Sequence, residues 1–255
     1  MSNNTFFVGC AGWSVPRGFA QHFPSMGSHL ERYASHFSGV EINSSFYRPH
    51  RPQTYAKWAA SVPSVFRFSV KVPKVITHEK RLVDTREPLH RFLDEVAALG
   101  SKLGPLLVQL PPSLTYDENR ATDFFGGLRD VFKGQVVCEP RHVTWFAPEA
   151  DTLLSAFQVA RVAADPALSP QAFEPGGWKE LIYYRLHGSP TIYRSAYSSE
   201  FVDELASSFE RRMKEPCSAW CIFDNTAEGA ATINALELEK RLREKAIPPK
   251  AASNE

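Results

Sequence analysis

The sequence has few of the residues that cross-link secreted domains or hold structural metals. Only four of its 255 residues are cysteines. Cys10 and Cys138 lie in apolar, strand-like runs, and Cys217 and Cys221 form one pair without the second pair that zinc-finger spacing requires. We therefore expect four buried structural thiols in a reducing compartment.

The sequence also lacks the signals of export and of membrane insertion. Its first residues show no basic segment followed by an apolar stretch and a cleavage site, and no apolar run is long enough to span a bilayer. We therefore expect a cytoplasmic protein with no membrane partner.

Neither sign of charge dominates the chain. Lysine and arginine number 29 against 28 aspartates and glutamates, which gives a net charge of +1. This balance does not favour a broad electrostatic footprint for nucleic acid. With 43% hydrophobic and 22% charged residues, the composition is that of a globular domain with a sizeable core.

Eight apolar runs of strand length divide the chain, and most gaps between them carry a helical pattern. This alternation predicts right-handed crossovers and a parallel sheet. Eight units favour closure into a (β/α)8 TIM barrel, which is an α/β fold. We expect one domain over residues 1–247 and a disordered tail at 248–255. The alternative is an open doubly wound sheet, although no Gly-x-Gly-x-x-Gly follows the first run. The runs are 6–12, 40–46, 66–73, 106–111, 136–140, 160–165, 181–187 and 219–225.

Three of these runs alternate polar and apolar residues, whereas strands covered on both faces are usually apolar throughout. Because the alternation has a period of two, the polar residues share one face of each strand. If the apolar set faces the helices, the polar set must be paired inside the barrel or face a ligand cavity. The polar sets are Glu41 and Asn43, then Arg67, Ser69 and Lys71, and finally Arg185 and His187.

Polar residues also end other runs, at the edge where barrel enzymes build their sites. These residues are Gln109, Glu139 with Arg141, Asp165, and Asp224 with Asn225. We predict a polar pocket at this edge, and the alternative is a network of ion pairs that only fills the barrel. The pocket is floored by Glu41, Asn43, Lys71, Gln109, Glu139, Arg141, Arg185 and His187.

The residue types in the pocket favour acid–base chemistry on an anion. His187 titrates near neutral pH and suits proton transfer, and its alternative role is a structural bond to Glu139 or Asp165. Lysine and arginine at the rim can bind a carboxylate or a phosphate, or can pair with the carboxylates of the site. We assign catalytic roles to Glu41, Glu139, His187 and Lys71. We assign substrate-binding roles to Asn43, His78, Gln109, Arg141, Arg185 and Asn225. His78 lies in a segment that could close the mouth of the barrel.

Eight ordered segments resemble the domain-of-unknown-function 72 family (DUF72, also called YecE-like), from about residue 7 to about residue 238. Any one segment would be weak evidence, and the ordered set is specific. The segments are GCAGWS at 9–14, VEINSSFY at 40–47, FSVKVP at 68–73, ITHEKRL at 76–82, LGPLLVQLPP at 103–112, EPRHVTW at 139–145, YRLHG at 184–188 and FDN at 223–225.

The resemblance implies a TIM barrel of bacterial and archaeal cytoplasm and supplies no reaction. The barrel of the family has been likened to that of metal-dependent apurinic endonucleases, which is an analogy of fold. Family members usually carry asparagine where this chain has Asp224, so the chain adds a negative charge there.

Three functions share the predicted pocket. The first is an enzyme acting on a small polar or anionic substrate, with hydrolase, lyase and isomerase left open. The second is a metal-dependent phosphodiesterase or repair-type nucleic-acid binder. In it, carboxylates together with His187 or His78 would hold a divalent metal. The third is a non-catalytic metabolite-binding protein. We predict no cofactor, because cationic side chains share the rim and no His-Glu-x-x-His spacing is present.

Overall fold

The computed structural model describes residues 5–212 and 217–246 as a mixed α/β fold. All eight predicted strands form within this range, and the predicted tail at 248–255 lies outside the described residues. The strands are β1 (Thr5–Cys10), β2 (Gly39–Ile42), β3 (Arg67–Lys71), β4 (Leu103–Gln109), β5 (Val136–Glu139), β6 (Val159–Arg161), β7 (Ala163–Asp165), β8 (Gly176–Gly177), β9 (Leu181–Leu186) and β10 (Ser218–Phe223).

Local sequence signals set the starts of several helices. Ser28 caps the first helix, since its hydroxyl accepts from Glu31 N at 3.3 Å and the Glu31 carboxylate accepts from Ser28 N at 2.7 Å. The Asp117 carboxylate accepts from Arg120 N at 2.8 Å at the start of the fourth. The helices are α1 (His29–Ala34), α2 (Pro52–Ala60), α3 (Arg86–Val96), α4 (Glu118–Val131), α5 (Pro148–Ala156), α6 (Ser199–Arg212) and α7 (Ala230–Ala246).

None of the helices in the described part of the chain combines the length and the apolar character needed to cross a membrane.

The strands form two hydrogen-bonded sheets. One has the order β1-β10-β9-β7, and the other has the order β2-β3-β4-β5-β6-β8. Every neighbouring pair is parallel except β6 with the two-residue β8. The predicted parallel α/β arrangement is therefore confirmed, and the carboxyl ends of the long strands share one edge.

A closed ladder of eight strands is not found among residues 5–212 and 217–246, so the closed barrel is not confirmed. The sixth predicted strand divides at Val162, where β6 pairs with β5 and β7 pairs with β9. Val162 N still donates to Cys138 O at 2.8 Å. Between β1 and β2, the backbone pairing within the described residues is one parallel bridge that joins Ala11 to Glu41.

An apolar cluster at the amino ends of the strands joins the two sheets. Trp220 of β10 is fully buried in it and stacks on Phe7 of β1 at 4.5 Å between ring centroids. Leu107 and Val137 enter the same cluster from β4 and β5 of the other sheet. This shared packing holds the two sheets together below the polar edge.

All four cysteines are buried thiols, as predicted. Burial raises the pKa of the Cys10 thiol to about 12, which keeps the thiol protonated at neutral pH.

Two glycines leave the space that Trp220 occupies. A Cβ atom on Gly39 would lie 2.9 Å from the indole ring, and one on Gly104 would lie 2.8 Å from it. We expect Gly39→Ala and Gly104→Ala each to lower the free energy of unfolding by about 1–3 kcal/mol, since the buried ring has no room to move. Urea unfolding measured by fluorescence gives the change.

Gly127→Ala is the matched control. Gly127 is an exposed position of α4 where an added Cβ meets nothing within 4 Å. Alanine there should raise the free energy of unfolding by about 0.5–1 kcal/mol, because it removes backbone freedom from the unfolded chain. Equal urea midpoints for the native chain and for Gly39→Ala would show that the ring is not confined as described.

Candidate active site

The guanidinium of Arg185 lies at the centre of the polar edge. Arg185, on β9, is 1% exposed and donates to the Glu41 carboxylate of β2, from Nη2 to Oε1 at 2.8 Å and from Nε to Oε2 at 3.0 Å. Its Nη1 donates to Glu139 Oε2 at 3.2 Å, and its Nη2 lies 3.0 Å from Asp224 Oδ2. Burial alone would lower the pKa of Arg185, but the three carboxylates hold it well above its usual value.

His187 lies between two of these carboxylates. Its Nε2 is 2.9 Å from Glu139 Oε1, and its Nδ1 is 3.0 Å from Asp224 Oδ2. Burial lowers the pKa of His187 and Glu139 raises it most, with the hydrogen bond to Asp224 adding to the rise, so that the pKa lies above its usual 6.5. A ring protonated on both nitrogens satisfies both carboxylates.

The predicted alternative partner of His187, Asp165, has a different role. Its carboxylate accepts from the Tyr197 hydroxyl at 2.8 Å. Asp165 meets His187 only through the backbone, where His187 N donates to Asp165 O at 2.7 Å.

Glu139, the last residue of β5, is shared by several donors. Gln109 Nε2 donates to its Oε2 at 3.0 Å, and Arg141 Nη1 donates to its Oε1 at 2.8 Å. Burial raises the pKa of Glu139, but Arg185, His187 and Arg141 together hold it well below its usual range. The Glu139 carboxylate is therefore ionised at neutral pH.

Two residues beneath Glu41 belong to the cluster and were not predicted as site residues. The Tyr183 hydroxyl lies 2.9 Å from Ser69 Oγ and 3.2 Å from Glu41 Oε2. Burial, followed by the charge of Glu41, raises the pKa of Tyr183 well above its usual value. Tyr183 is two residues before Arg185 on the same strand, so the period-two pattern contained the signal that it shares the inner face.

Asp224 is a third residue of the cluster that is absent from the predicted site residues. It follows β10, where the sequence shows a polar strand end, and it lies within bonding distance of both Arg185 and His187. Burial raises the pKa of Asp224, but Arg185 and then the hydrogen bond to His187 leave it below its usual value.

Lys71, at the end of β3, reaches the cluster without an ion-pair partner. The residue is 5% exposed, and its Nζ lies 4.1 Å from the centre of the Phe46 ring. No carboxylate or carbonyl oxygen in residues 5–212 and 217–246 is within hydrogen-bonding distance of this ammonium. Burial and then Arg185 lower the pKa of Lys71, whereas Glu41, Glu139 and Asp224 oppose the fall.

Arg141 forms the partly exposed side of the cluster, with 23% of its side chain accessible. Its Nη1 donates to the Glu139 carboxylate and also lies 3.1 Å from His187 Nε2. Its other two guanidinium nitrogens have no protein partner within the residues that the structure describes. They are available to a ligand in the mouth.

His78 and Asn225 lie outside this charged cluster. His78 is in a short π-helical turn (Val75–Glu79), where its Nδ1 is 2.9 Å from Thr77 Oγ1 and its ring meets Phe46 edge to face at 4.9 Å. Burial and then Lys71 lower the pKa of His78. Asn225 is buried, and its amide donates to Ser195 O and to Asn234 Oδ1 at 2.9 and 3.0 Å, which fastens the loop after β9.

Asn43 lies beside the cluster, in a cavity of about 490 Å³ that Glu41 also lines. Two larger cavities, of about 780 and 640 Å³, lie beside β8 and between α3 and α4. Neither touches the convergent charges, and convergence of polar groups is the better guide to a site than volume.

No three histidine, cysteine, aspartate or glutamate side chains within 5–212 and 217–246 are grouped to hold a metal ion. The carboxylates of Glu41, Glu139 and Asp224 turn toward Arg185 instead.

Removing the central cation should lower the free energy of unfolding more than removing a surface cation does. Arg185→Met leaves three carboxylates without their shared partner, and we expect the free energy of unfolding to fall by about 3–5 kcal/mol. Arg194→Met is the control, because Arg194 is 60% exposed and pairs only with exposed Glu228. We expect Arg194→Met to change the free energy of unfolding by no more than about 1 kcal/mol. An equal fall in the free energy of unfolding in the two variants would contradict a central role for Arg185.

The protonation of His187 can be measured directly by NMR titration of its ring. We expect a pKa above 6.5 in the native chain and a lower pKa in Asp224→Asn. Because folding raises this pKa, the stabilisation is complete below about pH 6.5 and is lost as the pH rises through the folded pKa. His36 is the internal reference, since burial and Arg243 lower its pKa. A His187 pKa below that of His36 would exclude the protonated ring.

Solved structures share the fold. A DUF72 family protein from Enterococcus faecalis superposes with a TM-score of 0.80 at 23% identity, over 94% of this chain and 96% of that one. A DUF72 family protein from Thermotoga maritima gives 0.76 at 24% identity, over 94% and 99%. At these identities the likeness shows the mixed α/β fold alone.

Relatives by sequence include the UPF0759 protein YecE of Escherichia coli (strain K12), 30% identical over 142 residues, which are 55% of this chain and 50% of that protein. The UPF0759 protein YunF of Bacillus subtilis (strain 168) is 26% identical over 150 residues, 56% of this chain and 52% of that protein. The match thus spans about half the length of these curated relatives. Residues 7–255 match the family described as "Protein of unknown function DUF72". The chain belongs to the DUF72 family.

Proposed function

We propose that this chain is an enzyme that binds a small anionic substrate at the carboxyl ends of its strands and acts on it by acid–base chemistry. The observation that carries the proposal is Lys71, whose side chain is nearly buried and whose ammonium has no acceptor among the described residues. A nearly buried ammonium without a paired anion is poorly compensated for the water that it has lost. A bound anion would supply the missing partner.

The charge balance of the cluster supports the same conclusion. Glu41, Glu139 and Asp224 supply three negative charges, and Arg185, Arg141 and protonated His187 supply three positive charges. Lys71 then leaves the cluster with a surplus of one positive charge, which an anionic group neutralises.

Arg141 gives the anion a second contact. The two guanidinium nitrogens that lack a protein partner can bind a carboxylate or phosphate in a fork, while Nη1 stays on Glu139. Gln109 is half-buried next to it and already donates to Glu139, which fixes the orientation of that carboxylate.

Proton transfer falls to His187 and Glu139. His187 lies between two carboxylates that raise its pKa, which suits the role of the acid, and its Nε2 lies 3.1 Å from Arg141 Nη1 on the exposed side. Glu139, ionised beside Arg185, would accept a proton as the base, and the Glu41 carboxylate is the second candidate for that role. His187 is covered by Arg141 and Tyr193, so the substrate must displace one of these side chains to reach it. Hydrolase, lyase and isomerase reactions all use such a step.

We also propose that the two sheets are parts of one (β/α)8 barrel. The bridge between Ala11 and Glu41 supports a junction of β1 with β2, and the continuous passage through Val162 supports a junction of β6 with β7. The Trp220 cluster, drawn from both sheets, would fill the interior. The four buried thiols are in keeping with the reducing cytoplasm.

The two other predicted functions stay as alternatives. A metal-dependent phosphodiesterase needs carboxylate oxygens that face a cation in the mouth, whereas the oxygens of Glu41, Glu139 and Asp224 face Arg185. A non-catalytic metabolite binder would use the same anion site without turnover, so a turnover assay on each bound anion separates it from the enzyme.

The test is Lys71→Met, which keeps most of the side-chain stem and removes the charge. We expect binding of inorganic phosphate or of small carboxylates, measured by calorimetry, to weaken about 10- to 100-fold, since a charged hydrogen bond is worth about 1.5–3 kcal/mol. We expect the same variant to be about 0.5–2 kcal/mol more stable, because the native chain holds a charge without a partner.

Lys240→Met is the matched control, since Lys240 on α7 is 68% exposed. It should change neither anion binding nor stability appreciably. A native chain that binds none of these anions, or a Lys71→Met variant that binds them as the native chain does, would refute the proposal.

A further inference from the structure

Asn43 is a further predicted site residue with an unpartnered polar atom, as is Asn225, whose buried Oδ1 also accepts no hydrogen bond. The Oδ1 of Asn43 is buried and accepts no hydrogen bond, and the Nδ2 of Asn43 donates none to any residue in 5–212 or 217–246. Its neighbours are satisfied: Ser44 Oγ lies 2.8 Å from His50 Nε2, and Ser45 Oγ donates to Ile42 O at 2.9 Å. A buried amide oxygen without a donor is costly, and a ligand that donates a hydrogen bond to Asn43 would offset that cost.

The unpartnered amide and the unpartnered ammonium lie at the ends of neighbouring strands. Asn43 directly follows β2, Lys71 ends β3, and in this parallel pair Glu41 is opposite Ser69. Asn43 has a helical conformation, with φ −85° and ψ −22°, so the strand register ends at Ile42. Ser45 Oγ donates to Lys71 O at 2.6 Å, which fastens the turn after Asn43 to the end of β3.

The cavity of about 490 Å³ is lined by Asn43 and Glu41 and has the size of a small-molecule site. Trp13, Ser14 and His29 line it from the β1–α1 segment, opposite Asn43. Gly12, with a φ of 108°, turns the chain there, and a Cβ on it would meet nothing within 4 Å. The cavity is therefore open and mixed in polarity, which suits a small polar molecule.

The charge beside Asn43 restricts the group that it can recognise. A cationic amine could donate to Oδ1, but Lys71 and the surplus positive charge of the cluster would repel it. A hydroxyl is neutral, donates to an amide oxygen and accepts from an amide nitrogen, so it suits the side chain in either orientation of the amide.

We infer that the substrate is a small hydroxylated anion, whose hydroxyl binds Asn43 while its carboxylate or phosphate binds Lys71 and Arg141. The inference rests on the proposed function and names the substrate class for that same site. It selects hydroxy acids and sugar-phosphate-like molecules over anions that carry only alkyl groups.

The experiment compares matched anions that differ in hydroxylation. The carboxylate pair is glycerate against propionate, and the phosphate pair is glycerol 3-phosphate against propyl phosphate. Calorimetry on the full chain should show at least one hydroxylated member binding about 10-fold or more tightly than its partner. In Asn43→Leu, the affinities of the hydroxylated anion and of its alkyl partner should differ by no more than about twofold. The affinity for the alkyl anion itself should stay within about twofold of its value in the native chain.

The outcomes separate the inference from the proposed function. Equal affinity within both pairs in the native chain would overturn the hydroxyl recognition and leave anion binding intact, whereas no binding of any of the four anions would overturn both. A preference that persists in Asn43→Leu would assign the hydroxyl to another residue and refute the inference. Asn43→Ala, a smaller change of shape, provides the same comparison if Asn43→Leu does not fold.

Discussion

The contact on which the polar edge depends is that of one buried guanidinium with carboxylates from both sheets. Arg185 of β9 meets Glu41 of β2 and Glu139 of β5, which belong to the other sheet. Asp224, which follows β10, joins it from the sheet of Arg185 itself. The side chains therefore link the sheets, as do the backbone bridge from Ala11 to Glu41 and the hydrogen bond from Val162 N to Cys138 O. Buried ion pairs contribute little stability compared with apolar packing, so their effect here is to fix the relative position of the strand ends.

This arrangement also sets the protonation of the site. Arg185 keeps the Glu139 and Asp224 carboxylates ionised despite their burial, and Glu139 and the hydrogen bond to Asp224 raise the pKa of His187. Arg185 also lowers the pKa of Lys71. One residue thus couples the residues that we propose as the acid, the base and the anion-binding cation, and a change at any of them alters the others.

The period of two in the strands predicted which residues share a face, because side chains alternate in direction along a strand. The side chains of Glu41, Arg185 and His187 meet, whereas Lys71 forms no hydrogen bond with any of them. The period of two did not predict that the sixth strand would divide at Val162, since hydrogen-bond partners of a strand are a property of the whole sheet. The role of Asn225 could not be predicted either, since its partners Ser195 and Asn234 are distant in sequence.

The sequence left two interpretations of the polar strand ends, a ligand pocket and an internal network of ion pairs, and each applies to different residues. The side chains of Arg185 and His187 are fully buried, and their polar groups are paired. Lys71, at the end of β3, and Asn43, which follows β2, have no polar partner for the ammonium and for the amide among the described residues. Other buried atoms, such as Trp220 Nε1 in the apolar cluster, also have no partner, so a missing partner alone does not identify a site. What distinguishes Lys71 and Asn43 is that they end neighbouring strands at the edge where the charged side chains converge, and this convergence is the argument for a ligand there.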